Sequence, residues 1–263
     1  MLGHFIIAAL MLAYAGAAAA AEQQPICPDR PSKSTGTCTV PMGSWQVETG
    51  LVDWTHDKSA RVRTDFTTYG SSLIKYGVSE RVDVELGITP LETMEVHGGL
   101  GEHHSSFGDT LLRAKVRLTS SEAPVQVAFD PYVKLPTASR KVGDGKLEGG
   151  FVVPVSIPIG KSPFTLSLDP ELDVLADANG NGRHFATQQV VNLGMAASEK
   201  LSLSAEIWAG RNWDPAGTIR QASADGSVAY MVSKDLQIDA GANFGLNRQT
   251  ADLEVYSGIS VRF

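Results

Sequence analysis

From Ser44 to the carboxy terminus the chain alternates between apolar and polar positions. In Leu236 to Leu246 every even-numbered residue is apolar and every odd one is polar or Gly, the period of a strand with two unlike faces. Leu201, Leu203, Ala205, Ile207 and Ala209 share one face, with Ser202, Ser204 and Glu206 on the other. Leu112, Ala114, Val116 and Leu118 oppose Arg113, Lys115 and Arg117, and Val82, Val84, Leu86 and Ile88 oppose Asp83 and Glu85. Phe164, Leu166, Leu168, Leu172 and Val174 oppose Asp169, Glu171 and Asp173. Twelve strands are predicted, at about 44–54, 65–78, 82–91, 109–118, 125–136, 149–157, 164–176, 186–196, 201–212, 220–232, 236–246 and 253–263. Short connections alternate with longer ones rich in Gly, Asn, His and charge, including one across Glu92 to Gly108.

The second face carries too many charges for a packed core. It suits a barrel whose apolar face meets lipid and whose polar face meets water. Closure is required because hydrocarbon offers no partner to a free sheet edge. Leu253, Val255, Ile259 and Val261 run in phase with terminal Phe263, which puts an aromatic carboxy terminus on the lipid face. A soluble secreted barrel with its apolar face inward needs only about eight strands. The expected fold is therefore all-β, a closed antiparallel up-and-down transmembrane β-barrel of about 12 strands with a narrow lumen.

Composition changes this picture in two places. The 263 residues hold 22 Lys and Arg against 29 Asp and Glu, a formal net charge of −7, which argues against a nucleic-acid partner. The one apolar stretch long enough to span a bilayer as a helix is Phe5 to Ala21. Its small-residue run Ala15 to Ala21 fits a signal peptide over 1–21, cleaved after Ala21. The expected layout is thus a leader at 1–21, an N-terminal periplasmic segment at 22–43 and a barrel at 44–263. The two cysteines, Cys27 and Cys38, are expected to pair, since nearby cysteines in an oxidising compartment usually do.

Candidate chemistry lies in the lumen. Arg113, Lys115 and Arg117 point inward beside Asp83 and Glu85, either as a cross-strand ladder of balanced charge or as one wall of a polarised constriction. Asp169, Glu171 and Asp173 would form the opposite, acidic wall. The Glu92 to Gly108 loop groups His97, His103 and His104 with Glu95 and Glu102. It is either solvated, folded inward as a plug, or able to hold a divalent metal; no metal or cofactor is assigned. Asp177 to Gly182 opens like a calcium loop, but Gln188 stands where a bidentate Glu belongs, and an Asn-Gly turn explains it better. The Gly-x-Ser-x-Gly elbow of a hydrolase does not occur, so an outer-membrane lipid hydrolase or acyltransferase is kept as an alternative reading and not as the expected one.

Cys27-Pro28-Asp29-Arg30-Pro31, Cys38-Thr39-Val40-Pro41-Met42-Gly43 and Trp45-Gln46-Val47-Glu48-Thr49-Gly50 resemble the start of the meta-pathway phenol-degradation family of outer-membrane transporter β-barrels. Gly245-Leu246-Asn247-Arg248, Val255 to Ser260 and Arg262-Phe263 resemble its close. The resemblance implies a transporter or channel of the bacterial outer membrane for small solutes, including aromatic or hydrophobic compounds, by passive or facilitated diffusion. Outer-membrane lipid and the barrel-assembly machinery, the latter through the strand ending at Phe263, are the expected partners. A purely structural barrel is the alternative.

Overall fold

The computed structural model describes residues 25–59, 61–98 and 101–263; the leader expected at 1–21 lies outside them. The described chain is fifteen strand segments: β1 Trp45–Ser59, β2 Val62–Ser79, β3 Val82–Ile88, β4 Leu91–His97, β5 Glu102–Ser106, β6 Thr110–Arg117, β7 Gln126–Leu135, β8 Glu148–Val152, β9 Val155–Pro158, β10 Phe164–Ala176, β11 Arg183–Ala196, β12 Leu201–Asn212, β13 Ile219–Ser233, β14 Leu236–Gly245 and β15 Leu253–Arg262. All strand pairs are antiparallel, and β1 pairs with both β2 and β15, so the sheet closes on itself. Counting β8 and β9 as one interrupted strand, the ring is β1, β2, β3, β6, β7, β8/β9 and β10 to β15. That makes twelve. The interruption falls at Val153 and Pro154, because proline has no N–H to give the ladder. There Val153 N–H donates to the Pro170 carbonyl and Ala128 N–H to the Pro154 carbonyl.

The burial pattern is the reverse of a soluble protein's. Leu86, Leu112, Val191, Ile207, Ile238, Phe244 and Val255 are exposed on the outside, whereas Lys75, Lys115, Gln46, Glu48 and Asp83 are among the most deeply buried side chains. One irregularity lies between Gly50 and Val52 on β1. The shift presents Leu51 and Val52 outward together, at 52% and 40% exposure, and keeps the following Asp53 in register with inward-facing Tyr256. Terminal Phe263 is 75% exposed, while its N–H donates to the Trp45 carbonyl at 2.8 Å.

The stretch expected as a loop over Glu92 to Gly108 is instead a hairpin. Strands β4 and β5 continue beyond the ring, β4 pairing with the start of β2 and β5 with β4. For the same reason β1 and β2 reach Ser59 and Val62, past the boundaries expected near 54 and 65. Above the bilayer both faces of a strand meet water, so the alternation that marks the membrane span fades while the hydrogen-bonded ladder continues.

Candidate functional site

The N-terminal segment makes its contacts inside the ring. It is anchored at one end by the Ile26 N–H, which donates to the Lys234 carbonyl in the tight β13–β14 turn. At the other end, Gly77 of β2 lies against the Val40 and Pro41 carbonyls, where no Cβ would fit. Between them a Cys27–Cys38 disulfide closes a loop that presents opposite charges to opposite walls. The Asp29 carboxylate accepts from Lys75 Nζ at 2.7 Å and Lys115 Nζ at 2.5 Å and lies 3.7 Å from Arg113. On the far wall, Arg30 donates to Asp239 at 2.9 Å, and Lys33 Nζ lies 3.4 Å from Glu254 and 3.6 Å from Asp225. Lys33 N–H donates to Glu206, Ser34 Oγ to Asp169 and Val40 N–H to Asp83. Burial alone would raise the Asp29 pKa, but Lys115, Lys75 and Arg113 overcome it and hold the carboxyl well below the usual range.

Of the residues singled out from sequence, Arg113 lies 3.1 Å from Glu85 and donates to Asp130, and Lys115 lies 3.8 Å from Glu85. Asp83 sits opposite Lys115 in register and accepts from the segment's Val40 N–H. Arg117 is apart from them: it donates to the Glu80 carbonyl at the short β2–β3 turn. Glu171 and Asp173 both accept from Tyr132 Oη, at 3.2 and 2.5 Å, and Asp173 also accepts from Gln188. The acidic stretch on β10 therefore makes its hydrogen bonds with Tyr132, Gln188 and Ser34. Sequence reasoning passed over Lys75, Glu48 and Asp130, although Lys75 is in phase with Gly77 on β2 and the pattern could have found it. It also passed over the segment's own Asp29, Arg30 and Lys33, which carry no periodic signal.

The basic wall carries its own acids. Lys75, Arg113 and Lys115 stand against Glu48, Glu85 and Asp130, with Asp83 opposite Lys115 in register, four acids to three cations before Asp29 is added. Asp29, Glu85 and Asp130 bring carboxylate oxygens within 4.8 Å of one another, and Arg113 contacts all three. The histidines stand elsewhere, on the external extension. His56 bonds Asp65 at 2.8 Å, His97 lies 3.4 Å from Asp65 and 3.5 Å from Glu95, His103 lies 3.6 Å from Glu95, and His104 bonds Glu102 at 2.8 Å. At Asp177 to Gly182 the Gly180 N–H donates to the Asp177 carbonyl, and Asp177 Oδ1 bonds His184 Nδ1 at 2.9 Å.

Two cavities lie on either side of the segment. One of about 800 Å³ opens toward the long connections and includes Phe66, Leu73, Leu111, Arg113 and Lys134 in its wall. The other, about 420 Å³, opens toward the short turns and is lined by Ser156, Thr165, Asn192, Ser202 and Ser204. Asp29, Arg30, Ser32 and Thr35 face both. A few residues of backbone thus separate the two halves of the lumen.

A closed twelve-stranded ring, apolar outside and polar inside, with its own amino-terminal segment across the lumen, defines a β-barrel of the bacterial outer membrane. The sequence profile of the family described as "Putative MetA-pathway of phenol degradation" matches residues 28–263. The chain belongs to that family. Its fold is similar to that of the COG4313 outer membrane channel from Pseudomonas putida F1, with a TM-score of 0.71 at 12% identity, covering 89% of this chain and 100% of that one. It is also similar to the NanC porin, with a TM-score of 0.52 at 8% identity over 82% and 98% of the two chains. The beta domain of the Bordetella autotransporter BrkA gives 0.51 at 10% identity over 85% and 100%. No curated protein sequence matches the chain.

Proposed function

We propose that this barrel is a channel or transporter that passes small solutes, aromatic or hydrophobic compounds among them, by passive or facilitated diffusion. The observation that carries the reading is the pair of cavities divided only by Asp29 to Thr35. A solute entering from the long connections meets a charged, partly apolar chamber, then the segment, then a chamber of hydroxyl and amide groups. Lys75, Arg113 and Lys115 with Asp83 and Glu85 hold the partition on one side, and Asp169, with Glu171 and Asp173 beside it, lies on another. Arg117, at the short-turn rim, contributes least. No step in this passage calls for a catalytic group, and the protein acts without enzymic chemistry.

In the same reading, residues 1–21 address the chain to the envelope, the stretch from 22 approaches the barrel from the periplasm, outer-membrane lipid covers the exposed apolar belt, and the strand ending at Phe263 is what the barrel-assembly machinery engages. Bilayer conductance and liposome swelling test the proposal. Solute-dependent passage that changes when Arg113 and Lys115 are neutralised supports it. A folded barrel that passes neither ions nor small solutes refutes it.

A further inference from the structure

The strands that continue past the bilayer carry a row of nitrogen and carboxylate donors on their outer face. His56 of β1, Asp65 of β2, Glu95 of β4 and His103 of β5 are paired in register, one after another. His97 follows Glu95 by two residues and so shares its face. That face points away from the lumen: Val52, Tyr69 and Leu91 are in register with each other four residues nearer the bilayer and are all exposed, and Trp54, Thr67 and Thr93 form the row between. We propose that Asp65, Glu95, His97 and His103 bind one divalent transition-metal ion of the zinc class, with His56 holding Asp65 in place. Because the row lies outside the path of any solute, the proposal does not rest on the channel reading.

The donor spacing suits one ion. Two donors bound at about 2.1 Å with tetrahedral angles lie about 3.4 Å apart. His97 Nε2 is 3.4 Å from Asp65 Oδ2 and 3.5 Å from Glu95 Oε2, and His103 Nδ1 is 3.6 Å from Glu95 Oε1. Bringing all four onto one ion is a matter of side-chain rotation, since Glu95, His97 and His103 are 49, 45 and 62% exposed. His56 Nδ1 lies 2.8 Å from Asp65 Oδ1; a carboxylate only accepts, so the imidazole donates there and leaves Oδ2 for the metal. Imidazole mixed with carboxylate suits Zn²⁺ and its neighbours, whereas Mg²⁺ and Ca²⁺ take oxygen donors.

Charge points the same way. Asp65 and Glu95 stand directly opposite each other, and like charges so placed destabilise a sheet. Arg63 Nε answers Asp65 Oδ2 at 2.9 Å, but the neighbours of Glu95 within ion-pair reach are His97 and His103, which carry charge only when protonated. A divalent ion supplies the missing positive charge while using the neutral imidazoles as donors, and it ties β2, β4 and β5 together beyond the membrane. Arg63 is its competitor, because it holds the Asp65 oxygen that the ion requires. His104 and Glu102 bond each other at 2.8 Å on the opposite face of the same hairpin and take no part.

The test is titration of the tag-free full chain in lipid nanodiscs with ZnCl₂, in competition with a chromophoric zinc chelator and referenced to protein-free discs. One Zn²⁺ should bind per chain and resist displacement by about a hundredfold excess of Mg²⁺. His97→Ala and Glu95→Gln should each weaken binding by about tenfold or more, and the second serves should the first not fold. His104→Ala, on the other face, should leave the affinity unchanged, and Arg63→Gln should tighten it by removing the competing cation. Hydrogen exchange at the β4 and β5 amides should slow when Zn²⁺ is added. No saturable binding in a barrel whose heat-modifiable gel mobility shows it folded overturns the proposal. So does an affinity untouched by both His97→Ala and Glu95→Gln, or one that His104→Ala lowers as much as they do. Conductance measured on the same samples reports on the channel separately, since no ligand of this site faces the lumen.

Discussion

Replacing Asp29 with Asn removes one charge and almost no volume from the junction between the segment and the basic wall. The loss falls unevenly. Lys75 keeps Glu48 at 2.6 Å, but Lys115, whose side chain is 1% exposed, loses its 2.5 Å partner and is left with Glu85 at 3.8 Å and Asp83 opposite it in register. Breaking a buried pair by removing one partner costs about 3–5 kcal/mol. The surviving acids put this case at the lower end, about 3 kcal/mol. Since every 1.4 kcal/mol is tenfold, local release of the segment should become about a hundredfold more frequent. Hydrogen exchange reads this directly at the Lys33 and Val40 amides, whose acceptors Glu206 and Asp83 belong to the wall. Both should exchange about a hundredfold faster in Asp29→Asn, with the amides of β12 and β14 unchanged. Exchange at those two amides within about threefold of the natural protein, in a barrel that remains folded, would refute the assignment of Asp29 as the segment's anchor.

The same anchor predicts a pH response. A carboxyl held below its ordinary value stabilises docking fully above the unfolded pKa of about 3.9, and the contribution is lost as pH falls below it. Protection of the Lys33 amide, corrected for intrinsic exchange, should stay level from neutral pH to about 5 and decline under stronger acid. Gly77→Val should push the Val40 and Pro41 carbonyls off β2, loosening the segment and raising single-channel conductance while strand content by circular dichroism is kept. Lys75→Met fills the same space but leaves Asp29, Glu48 and Glu85 without it, which should cost about 3–5 kcal/mol, read as earlier loss of heat-modifiable gel mobility in denaturant. Asp235→Asn weakens the contact with Arg262 that holds its carboxyl low, and should lower the same transition by a smaller amount.

The strands were legible because lipid on one face and water on the other impose opposite demands on neighbouring residues. Where both conditions hold, even the boundaries coincide: β10 and β12 run over 164–176 and 201–212, as the alternation predicts. Beyond the bilayer the contrast vanishes, and with it any sign that Met94 and Val96 belong to a strand. The inward direction of Arg113, Lys115, Asp83 and Glu85 followed from phase alone, but their partners did not. Asp29 and Lys75 are 46 positions apart, and Arg30 and Asp239 are 209 apart. The Pro28 to Pro31 stretch has no period to relate it to either wall. Its two faces of charge become legible only when the ring has brought β2, β6 and β14 around it.

That geometry has a consequence in time. The segment precedes every strand in the chain, yet the acids that hold Arg30 and Lys33 come from β13, β14 and β15, the last to be synthesised. Until those strands arrive, the side chains of Arg30 and Lys33 lack their carboxylates, and the ring cannot shut before β15 meets β1. Filling of the lumen and closure of the wall are thus bound to the same late event, and a chain stalled short of its final hairpin would have neither.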